Sequence, residues 1–172
     1  MLEIVRNRRS ARRFFDSPVD GEAIDLFKEA LLRSPTSKNN RPQEFIFVDD
    51  QKLIDELSRS KPNGSAFLKG APLCVVIAAD ERKSDVWVED CSIAAITLQY
   101  IGESLGLGSC WIQIRKREHS SDISAEKYVR KTLKIPTHLR VASIVAIGHR
   151  QDSPERLPLS SLDFTKIRFN GY

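Results

Sequence analysis

Ser34-Pro35-Thr36-Ser37-Lys38-Asn39-Asn40-Arg41-Pro42 is a polar segment between the pattern of an amphipathic helix and the pattern of an apolar strand. It carries hydroxyls and side-chain amides, and prolines near its two ends restrict the backbone. Such a composition most often forms an ordinary turn. A second polar cluster, Arg8-Arg9-Ser10-Ala11-Arg12, lies nearer the N-terminus. Neither is needed to fold a domain, and together they predict a site for a phosphorylated ligand with many hydrogen-bonding groups.

The basic cluster has an alternating pattern, with Arg8, Ser10 and Arg12 at every second position. An extended backbone would place these three side chains on one side. Two guanidinium groups and a hydroxyl suit a phosphate dianion, because arginine offers paired donors and keeps its charge. Taken alone, the same residues also fit a solvated basic turn.

Helix and strand patterns flank the polar segment. Before it, Asp20 is a predicted N-cap for a helix that should stop at Ser34, because Pro35 disfavours a helical residue in front of it. After it, residues 44–48 predict a strand and residues 50–60 a helix. The continuous apolar run 73–79 predicts a central strand buried on both faces.

The second half of the chain begins with the longest helical pattern, residues 85–105, for which Ser84 is the predicted cap. This helix is apolar on two sides, which is typical of burial in a core or between subunits. Gly106-Leu107-Gly108 follows it and precedes a strand at 109–114, so these glycines predict a helix stop rather than a dinucleotide-binding fingerprint. Ser124 should cap a further helix to about residue 133, and residues 139–147 predict the last strand.

Length and composition indicate one globular domain of 172 residues with an apolar core. The net charge of +4 is too small an excess to indicate nucleic-acid binding. No apolar run reaches the length of a membrane span and no signal peptide is recognisable, so a cytoplasmic protein without a membrane partner is expected. Cys74, Cys91 and Cys110 lie far apart in apolar segments, which predicts buried, reduced thiols.

The usual catalytic motifs are not found in this sequence. His119, His138 and His149 are scattered and show no metal-ligand spacing. There is no G-x-S-x-G nucleophile elbow and no phosphate-binding P-loop. An enzyme without an evident acid, base, nucleophile or metal would depend on a bound cofactor for its chemistry.

Four segments together resemble one known family. Arg8-Arg9-Ser10-Ala11-Arg12-Arg13-Phe14 is similar to the R-x-S-x-R-x-F opening of the nitroreductase family of FMN flavoproteins, and Ser34-Pro35-Thr36-Ser37-Lys38-Asn39 resembles its S-P-S-x-x-N loop. Leu105-Gly106-Leu107-Gly108-Ser109-Cys110-Trp111-Ile112 resembles its helix-to-strand segment. Ile147-Gly148-His149, followed by Arg156-Leu157-Pro158-Leu159, resembles its closing strand and basic tail motif. The four segments span nearly the whole chain in the family's order.

The resemblance implies a fold and an activity. It implies an α+β nitroreductase-like, FMN-binding fold in which helices flank a central, mostly antiparallel sheet. It also implies an intertwined homodimer, with a tail at about 151–172 packing on the partner subunit. Members of the family transfer hydride from NADH or NADPH to FMN and then reduce nitroaromatics, quinones or similar small-molecule acceptors by a ping-pong mechanism. The chemistry therefore takes place on FMN, and the resemblance implies no catalytic side chain and no metal.

The resemblance also assigns cofactor-binding residues. Arg8, Ser10 and Arg12 would hold the phosphate and ribityl end, with Arg9 near the flavin ring and Arg156 adding a remote positive charge. The polar loop would mostly reach the flavin of the other subunit, through Pro35, Thr36, Ser37 and Asn39. A strand would line the flavin ring, through Trp111, Ile112 and Gln113.

Some positions depart from the family pattern. Arg41 replaces a common glutamine, Gln43 an aromatic residue and Gln113 a glycine, and Pro154 stands where a further phosphate cation is frequent. These departures concern the acceptor and the choice between NADH and NADPH. Two alternative functions remain at this stage: a non-catalytic FMN-binding protein that stores or senses flavin, and a basic nucleic-acid-binding domain, which no aromatic-interleaved basic strand supports.

Overall fold

The computed structural model describes residues 1–152 and 154–172. Within these residues, four antiparallel strands form one sheet in the order β1-β2-β4-β3, and helices flank it. This confirms the expected α+β fold. In chain order the elements are α1 (Leu2–Asn7), α2 (Gly21–Arg33), β1 (Gln43–Val48), α3 (Gln51–Ser58), β2 (Leu73–Asp80), α4 (Trp87–Ser104), β3 (Gly108–Gln113), α5 (Ala125–Thr132) and β4 (Leu139–Gly148).

The sheet separates two apolar cores. On one side Val76 and Ile144 pack in the cluster that contains residues of α3 and α5, and on the other side Val75 packs in the cluster that contains residues of α2 and α4. Every residue of β2 is therefore buried, as the continuous apolar run predicted. Side chains of a strand alternate between its faces, so only a strand covered on both sides can be apolar throughout.

A pair of glycines lets the N-terminal segment lie against the edge of the sheet. Gly108 of β3 and Gly148 of β4 are directly opposite each other in the antiparallel register. A Cβ atom at Gly108 would lie 2.7 Å from the Cβ of Ala11, and one at Gly148 would lie 3.1 Å from the Phe14 ring. The Ala11 N–H donates to the Ser109 carbonyl at 3.0 Å. The segment that carries the basic cluster is thus fixed to β3.

Most of the predicted helix ends are confirmed. The side chains of Asp20 and Ser124 cap α2 and α5, as predicted. Asp50, which was expected to be the first residue of a helix, instead caps α3, which begins at Gln51. The prediction that Ser84 caps α4 is wrong, because α4 begins at Trp87 and the Ser84 hydroxyl donates to the buried carboxylate of Asp90 instead, at 2.8 Å. A serine before a helix is a frequent cap, and the sequence alone could not show that a carboxylate in the first turn would take its hydroxyl.

The three cysteines, all among the described residues, are buried and form no disulfide, as predicted. Burial raises the pKa of the Cys74 and Cys91 thiols to about 12, since an apolar environment disfavours the thiolate. Among the described residues no helix combines the length and the apolar character that a membrane crossing requires. In the same part of the chain no cluster of His, Cys, Asp and Glu has a metal-binding arrangement.

The C-terminal tail differs from the rest of the chain because residues 155–172 are all exposed. It contains two short 3-10 turns, Leu159–Ser161 and Phe164–Lys166. Several of its large apolar side chains face solvent, including Phe164 at 56% and Phe169 at 86% exposure. The tail therefore lies outside the apolar cores of its own chain.

Candidate functional site

Arg8, Ser10 and Arg12 of the basic cluster lie near the thiol of Cys110 on β3. Burial raises the pKa of Cys110, while Arg12, the Ser10 hydroxyl and Arg8 act in the opposite direction by favouring the thiolate. Ser10 also pairs with Ser109 through its backbone. Arg8, Ser10 and Arg12, the predicted phosphate ligands, are therefore brought together at one place on the sheet edge.

Among the described residues, two cations of this cluster, Arg8 and Arg12, have no carboxylate to neutralise them. Arg8 donates to the neutral amide oxygen of Gln99 at 3.3 Å, and the Arg12 guanidinium lies 5.9 Å from the centroid of the Phe67 ring. Within residues 1–152 and 154–172, neither arginine forms an ion pair with an acidic side chain. The positive charge is therefore available to an anionic ligand, and Ser10 and Arg12 are exposed to solvent.

Lys61 joins this cluster, which the sequence did not indicate. It lies in the turn after α3 and, like Arg8 and Arg12, acts to lower the pKa of the Cys110 thiol. Burial and then the nearby Arg117 lower the pKa of Lys61, because both disfavour a further positive charge. Residues 61–65 read as an ordinary loop in the sequence, and only the fold places this amine beside residues about fifty positions away on either side.

The polar loop forms a 3-10 turn over Ser37–Asn39 whose backbone is unusual. Lys38, Asn39 and Arg41 have φ angles of 51°, 56° and 47°, in the left-handed region that residues other than glycine rarely adopt. The Thr36 hydroxyl accepts the Arg41 N–H at 3.1 Å, and the side-chain oxygen Oδ1 of Asn39 accepts from Arg41 Nε at 2.9 Å. The Asn39 amide group is thereby oriented with its NH2 donors available.

A buried carboxylate fastens the loop to α4. The Ser37 N–H donates to Asp90 Oδ1 at 2.9 Å, and the side chain of Gln43, just after the loop, donates to the Asp90 carbonyl at 3.2 Å. Asp90 is only 1% exposed. Pro35, at the start of the loop, is exposed and borders a groove between α2 and α4.

The segment of β3 that was expected to line the ring has two faces. The Trp111 indole N–H donates to Gln113 Oε1 at 3.0 Å, and Gln113 Nε2 donates to the Arg115 carbonyl at 2.8 Å. The Ile112 side chain lies in the apolar core at 1% exposure. Trp111 and Gln113 are thus half-buried on one face, and Ile112 could offer a ligand only its backbone.

The remaining site candidates are more peripheral in the single chain. Arg156 pairs with Glu3 of α1 at 3.2 Å, with both side chains 60% exposed, so it lies beside the helix that ends directly before Arg8. Arg9 is half-buried. In the described part of the chain, no hydrogen bond or ion pair joins the polar loop to the basic cluster. One chain therefore presents two separate groups of ligand-binding side chains.

The donor set of the basic cluster fits the phosphate group of FMN. Guanidinium groups and a hydroxyl form short, charge-assisted hydrogen bonds to phosphate oxygens. Arg8 and Arg12, which have no acidic partner among the described residues, can form such bonds to an arriving anion without giving up an ion pair. The amide donors of Asn39 are suited to the carbonyl oxygens and ring nitrogens of a flavin.

Comparisons of the sequence with known proteins identify a family. The model of the nitroreductase family matches residues 5–64 and 56–149. A protein described as an NADH dehydrogenase/NAD(P)H nitroreductase from Methanothermobacter thermautotrophicus is 30% identical over 157 residues, covering 90% of this chain and 79% of the relative.

Solved structures give the same result. An FMN-dependent nitroreductase from Clostridium difficile is 43% identical, with a TM-score of 0.98 over 100% of both chains. An NADH dehydrogenase/NAD(P)H nitroreductase from Parabacteroides distasonis is 31% identical, with a TM-score of 0.89 over 99% of this chain and 98% of that one. The family match covers most of the chain, and the solved structures share its fold. The chain therefore belongs to the nitroreductase family.

Proposed function

We propose that this protein is an FMN-dependent oxidoreductase that takes hydride from NADH or NADPH and reduces nitroaromatic compounds, quinones or similar acceptors. The observation that carries the proposal is the group of cations around Ser10 and Cys110, among which Arg8 and Arg12 have no acidic partner in the described residues. The names of the relatives support the cofactor and the hydride donor, since one is an FMN-dependent nitroreductase and another an NAD(P)H nitroreductase.

The residues of the basic cluster would hold the phosphate end of FMN. Arg8 and Arg12 supply charge and directed N–H donors, and Ser10 adds a hydroxyl from a backbone that is paired with β3. Arg9 would lie near the ring, and Arg156 would add positive charge at longer range. Because the donors are attached to a fixed sheet edge, little conformational freedom is lost when the ligand binds.

The ring of FMN would lie where Trp111 and Gln113 of one chain meet Pro35, Thr36, Ser37 and Asn39 of another. When bound, FMN supplies the hydride and electron-transfer chemistry, and the protein supplies binding and electrostatics. Amide donors and cations near the ring stabilise negative charge on it. A nicotinamide and an acceptor that visit the same open face in turn would give ping-pong kinetics without a catalytic side chain.

A homodimer would bring these two groups of residues together. The tail of this single domain exposes Leu162, Phe164, Ile167 and Phe169, which is more apolar surface than a free tail usually carries. We propose that the tail packs on the partner subunit, where these side chains would be buried.

The helices offer an apolar surface for such contacts. A groove of about 510 Å³ between α2 and α4 is lined in part by Leu26, Ala30, Ile101 and Leu105. Pro35 of the polar loop lies at the same groove. A second chain on this surface would cover the exposed face of α4 and bring the polar loop next to the other protomer.

The function is tested by purifying the protein, saturating it with FMN and mixing it anaerobically with NADH or NADPH. We expect the flavin absorbance near 450 nm to be lost at a rate of about 1–1000 per second, which is the usual range of enzyme turnover. Subsequent recovery of the absorbance on addition of a quinone or a nitroaromatic compound would identify the acceptor class. FMN that binds but is not bleached would indicate a storage or sensor protein, and failure to bind FMN would contradict the proposal.

A further inference from the structure

We infer that Asp90 is a positioning residue that holds the polar loop in the shape in which Ser37 and Asn39 meet the flavin. The inference rests on the proposed function, because it concerns the same FMN site. Asp90 accepts a hydrogen bond from the Ser37 N–H, so its effect on the ligand would be exerted through Ser37 and the residues that follow it.

The two oxygens of the Asp90 carboxylate have separate donors. Oδ1 accepts the backbone N–H of Ser37 at 2.9 Å, and Oδ2 accepts the hydroxyl of Ser84 at 2.8 Å. The Asp90 carbonyl also accepts from Gln43 at 3.2 Å. The first turn of α4 is thus connected to the polar loop, to the strand that follows the loop and to the segment that precedes the helix.

The burial of the Asp90 carboxylate depends on the two hydrogen bonds that it accepts and on its place in the first turn of α4. Asp90 is 1% exposed, and among the described residues it forms no ion pair. Burying an unpaired carboxylate is unfavourable unless hydrogen bonds compensate, and an apolar side chain would avoid that penalty. Buried polar groups of this kind are retained where they fix a particular backbone arrangement.

The loop needs such an attachment because its own conformation is unfavourable. Lys38, Asn39 and Arg41 all have positive φ angles, and none is a glycine. Residues in this region are maintained by the surrounding structure, and such strain is concentrated at ligand-binding sites. The hydrogen bond from Ser37 to Asp90 lies at the start of the strained segment, so it opposes relaxation of the loop to other shapes.

The fixed loop would present its donors in a defined direction. Arg41 Nε donates to the Asn39 side-chain oxygen at 2.9 Å, which leaves the Asn39 NH2 group to an external acceptor. Preorganised donors stabilise charge better than mobile ones, because they need no reorganisation when the charge develops. Arg41 and Gln43, which depart from the family pattern, thus both contribute to the loop and its attachment to Asp90.

The test uses Asp90→Ala and Asp90→Asn, with Glu89→Gln as the matched control. Asparagine can keep both contacts, by accepting from Ser37 and donating to the Ser84 hydroxyl, whereas alanine keeps neither. Glu89 is the exposed neighbour in the same helical turn, so its substitution removes the same charge and leaves the loop untouched. Asp90→Ser, whose side chain is too short to reach both partners, replaces Asp90→Ala if the alanine variant does not fold.

Two readouts separate the positioning role from general stability. The first is hydrogen exchange of the Ser37 amide in the protein without flavin, and the second is the FMN dissociation constant from flavin fluorescence. Loss of a hydrogen bond to a charged group should speed Ser37 exchange by about 10- to 100-fold in Asp90→Ala. The dissociation constant for FMN should rise by about tenfold. Asp90→Asn and Glu89→Gln should stay within about threefold of the wild type.

The outcomes distinguish this inference from the proposed function. Unchanged Ser37 exchange in Asp90→Ala would overturn the inference, and so would faster exchange with unchanged FMN affinity. Equal losses of FMN affinity in Asp90→Asn and Asp90→Ala would also overturn it, because they would show that FMN binding depends on the charge of Asp90 and not on the geometry of the loop. If the wild-type protein does not bind FMN, the proposed function fails, whatever the exchange of Ser37 shows.

Discussion

Gly108 and Gly148 face each other across β3 and β4, and both lie in close contact with the N-terminal segment, Gly108 with Ala11 and Gly148 with Phe14. A Cβ atom at Gly108 would lie 2.7 Å from the Cβ of Ala11 and 2.8 Å from the Cβ of Arg150. Neither neighbour is the flexible end of a side chain, so the backbone would have to move. Gly108, which the sequence predicted to be part of a helix stop, is therefore a point of close contact that positions the basic cluster.

Gly108→Ala should displace the segment that carries Arg8, Ser10 and Arg12. Overpacking of this kind typically lowers the free energy of unfolding by about 1–3 kcal/mol, and FMN binding should weaken with it. Gly102→Ala is the control, because its Cβ would lie 3.9 Å from the Phe27 ring, an ordinary contact within α4. That change should stabilise the protein by about 0.5–1 kcal/mol. Urea unfolding measures the free energy of unfolding of both variants. Equal changes in the two would contradict the close packing proposed at Gly108.

Arg12→Ala should weaken FMN binding, because it removes a cation that has no acidic partner in the described chain. Loss of a charge-assisted hydrogen bond of about 1.5–3 kcal/mol corresponds to a dissociation constant about 10- to 100-fold higher. Arg13→Ala is the matched control, since Arg13 is 72% exposed and lies 3.7 Å from Asp152. Fluorescence titration with FMN measures both constants. An unchanged constant for Arg12→Ala would remove Arg12 from the site.

Asp80 should make stability depend on pH on the acid side. The hydrogen bonds from the Arg82 side chain hold the pKa of Asp80 well below its usual range. A carboxyl group with a lowered pKa in the folded state stabilises the protein above its unfolded pKa of about 3.9 and loses this contribution as the pH falls through the folded pKa. Asp80→Asn should therefore lower stability at neutral pH and lose less stability on acidification than the wild type.

The measurement for Asp80 is the urea midpoint at about pH 7 and about pH 3 for the wild type, Asp80→Asn and Arg82→Gln. Removing Arg82 should have the same effect on the pH dependence, because the pKa shift originates in that side chain. If the urea midpoint changes by the same amount between the two pH values in all three proteins, the pair of Asp80 and Arg82 does not contribute to the pH dependence of stability.

The exposed tail should be required for pairing of two chains. Ile167→Asp places a charge on a side chain that is 56% exposed in the single chain and would be buried in the proposed dimer. Burying an unpaired charge is strongly unfavourable, so the dimer dissociation constant should rise by more than about tenfold. Ser160→Asp adds the same charge at a polar position of the tail and should have little effect. Analytical ultracentrifugation measures both, and an unchanged dimer in Ile167→Asp would refute this role of the tail.

Much of the fold follows from local patterns in the sequence. The caps at Asp20 and Ser124 and the buried strand β2 are encoded by neighbouring residues, so periodicity and capping chemistry are enough to locate them. The cap proposed at Ser84 was wrong because its hydroxyl is taken by Asp90, a contact that depends on how the chain turns before α4.

The candidate site was only partly predictable for the same reason. Arg8, Ser10 and Arg12 are close in the sequence and share one side of an extended segment, so their spacing was informative. Lys61 comes to the cluster from another part of the chain, and Asp90 reaches the polar loop across 53 positions. Such contacts are set by the packing of the whole domain, and no local pattern marks them.

The proposed contact between the cations near Ser10 and the phosphate of FMN can be measured by comparing FMN with riboflavin, which has the same ring and ribityl chain but no phosphate, in fluorescence titrations of the wild-type protein. FMN should bind more tightly by at least about 100-fold, equivalent to about 2.7 kcal/mol, and raising the salt concentration should narrow this difference in affinity. Equal affinities for FMN and riboflavin would contradict it.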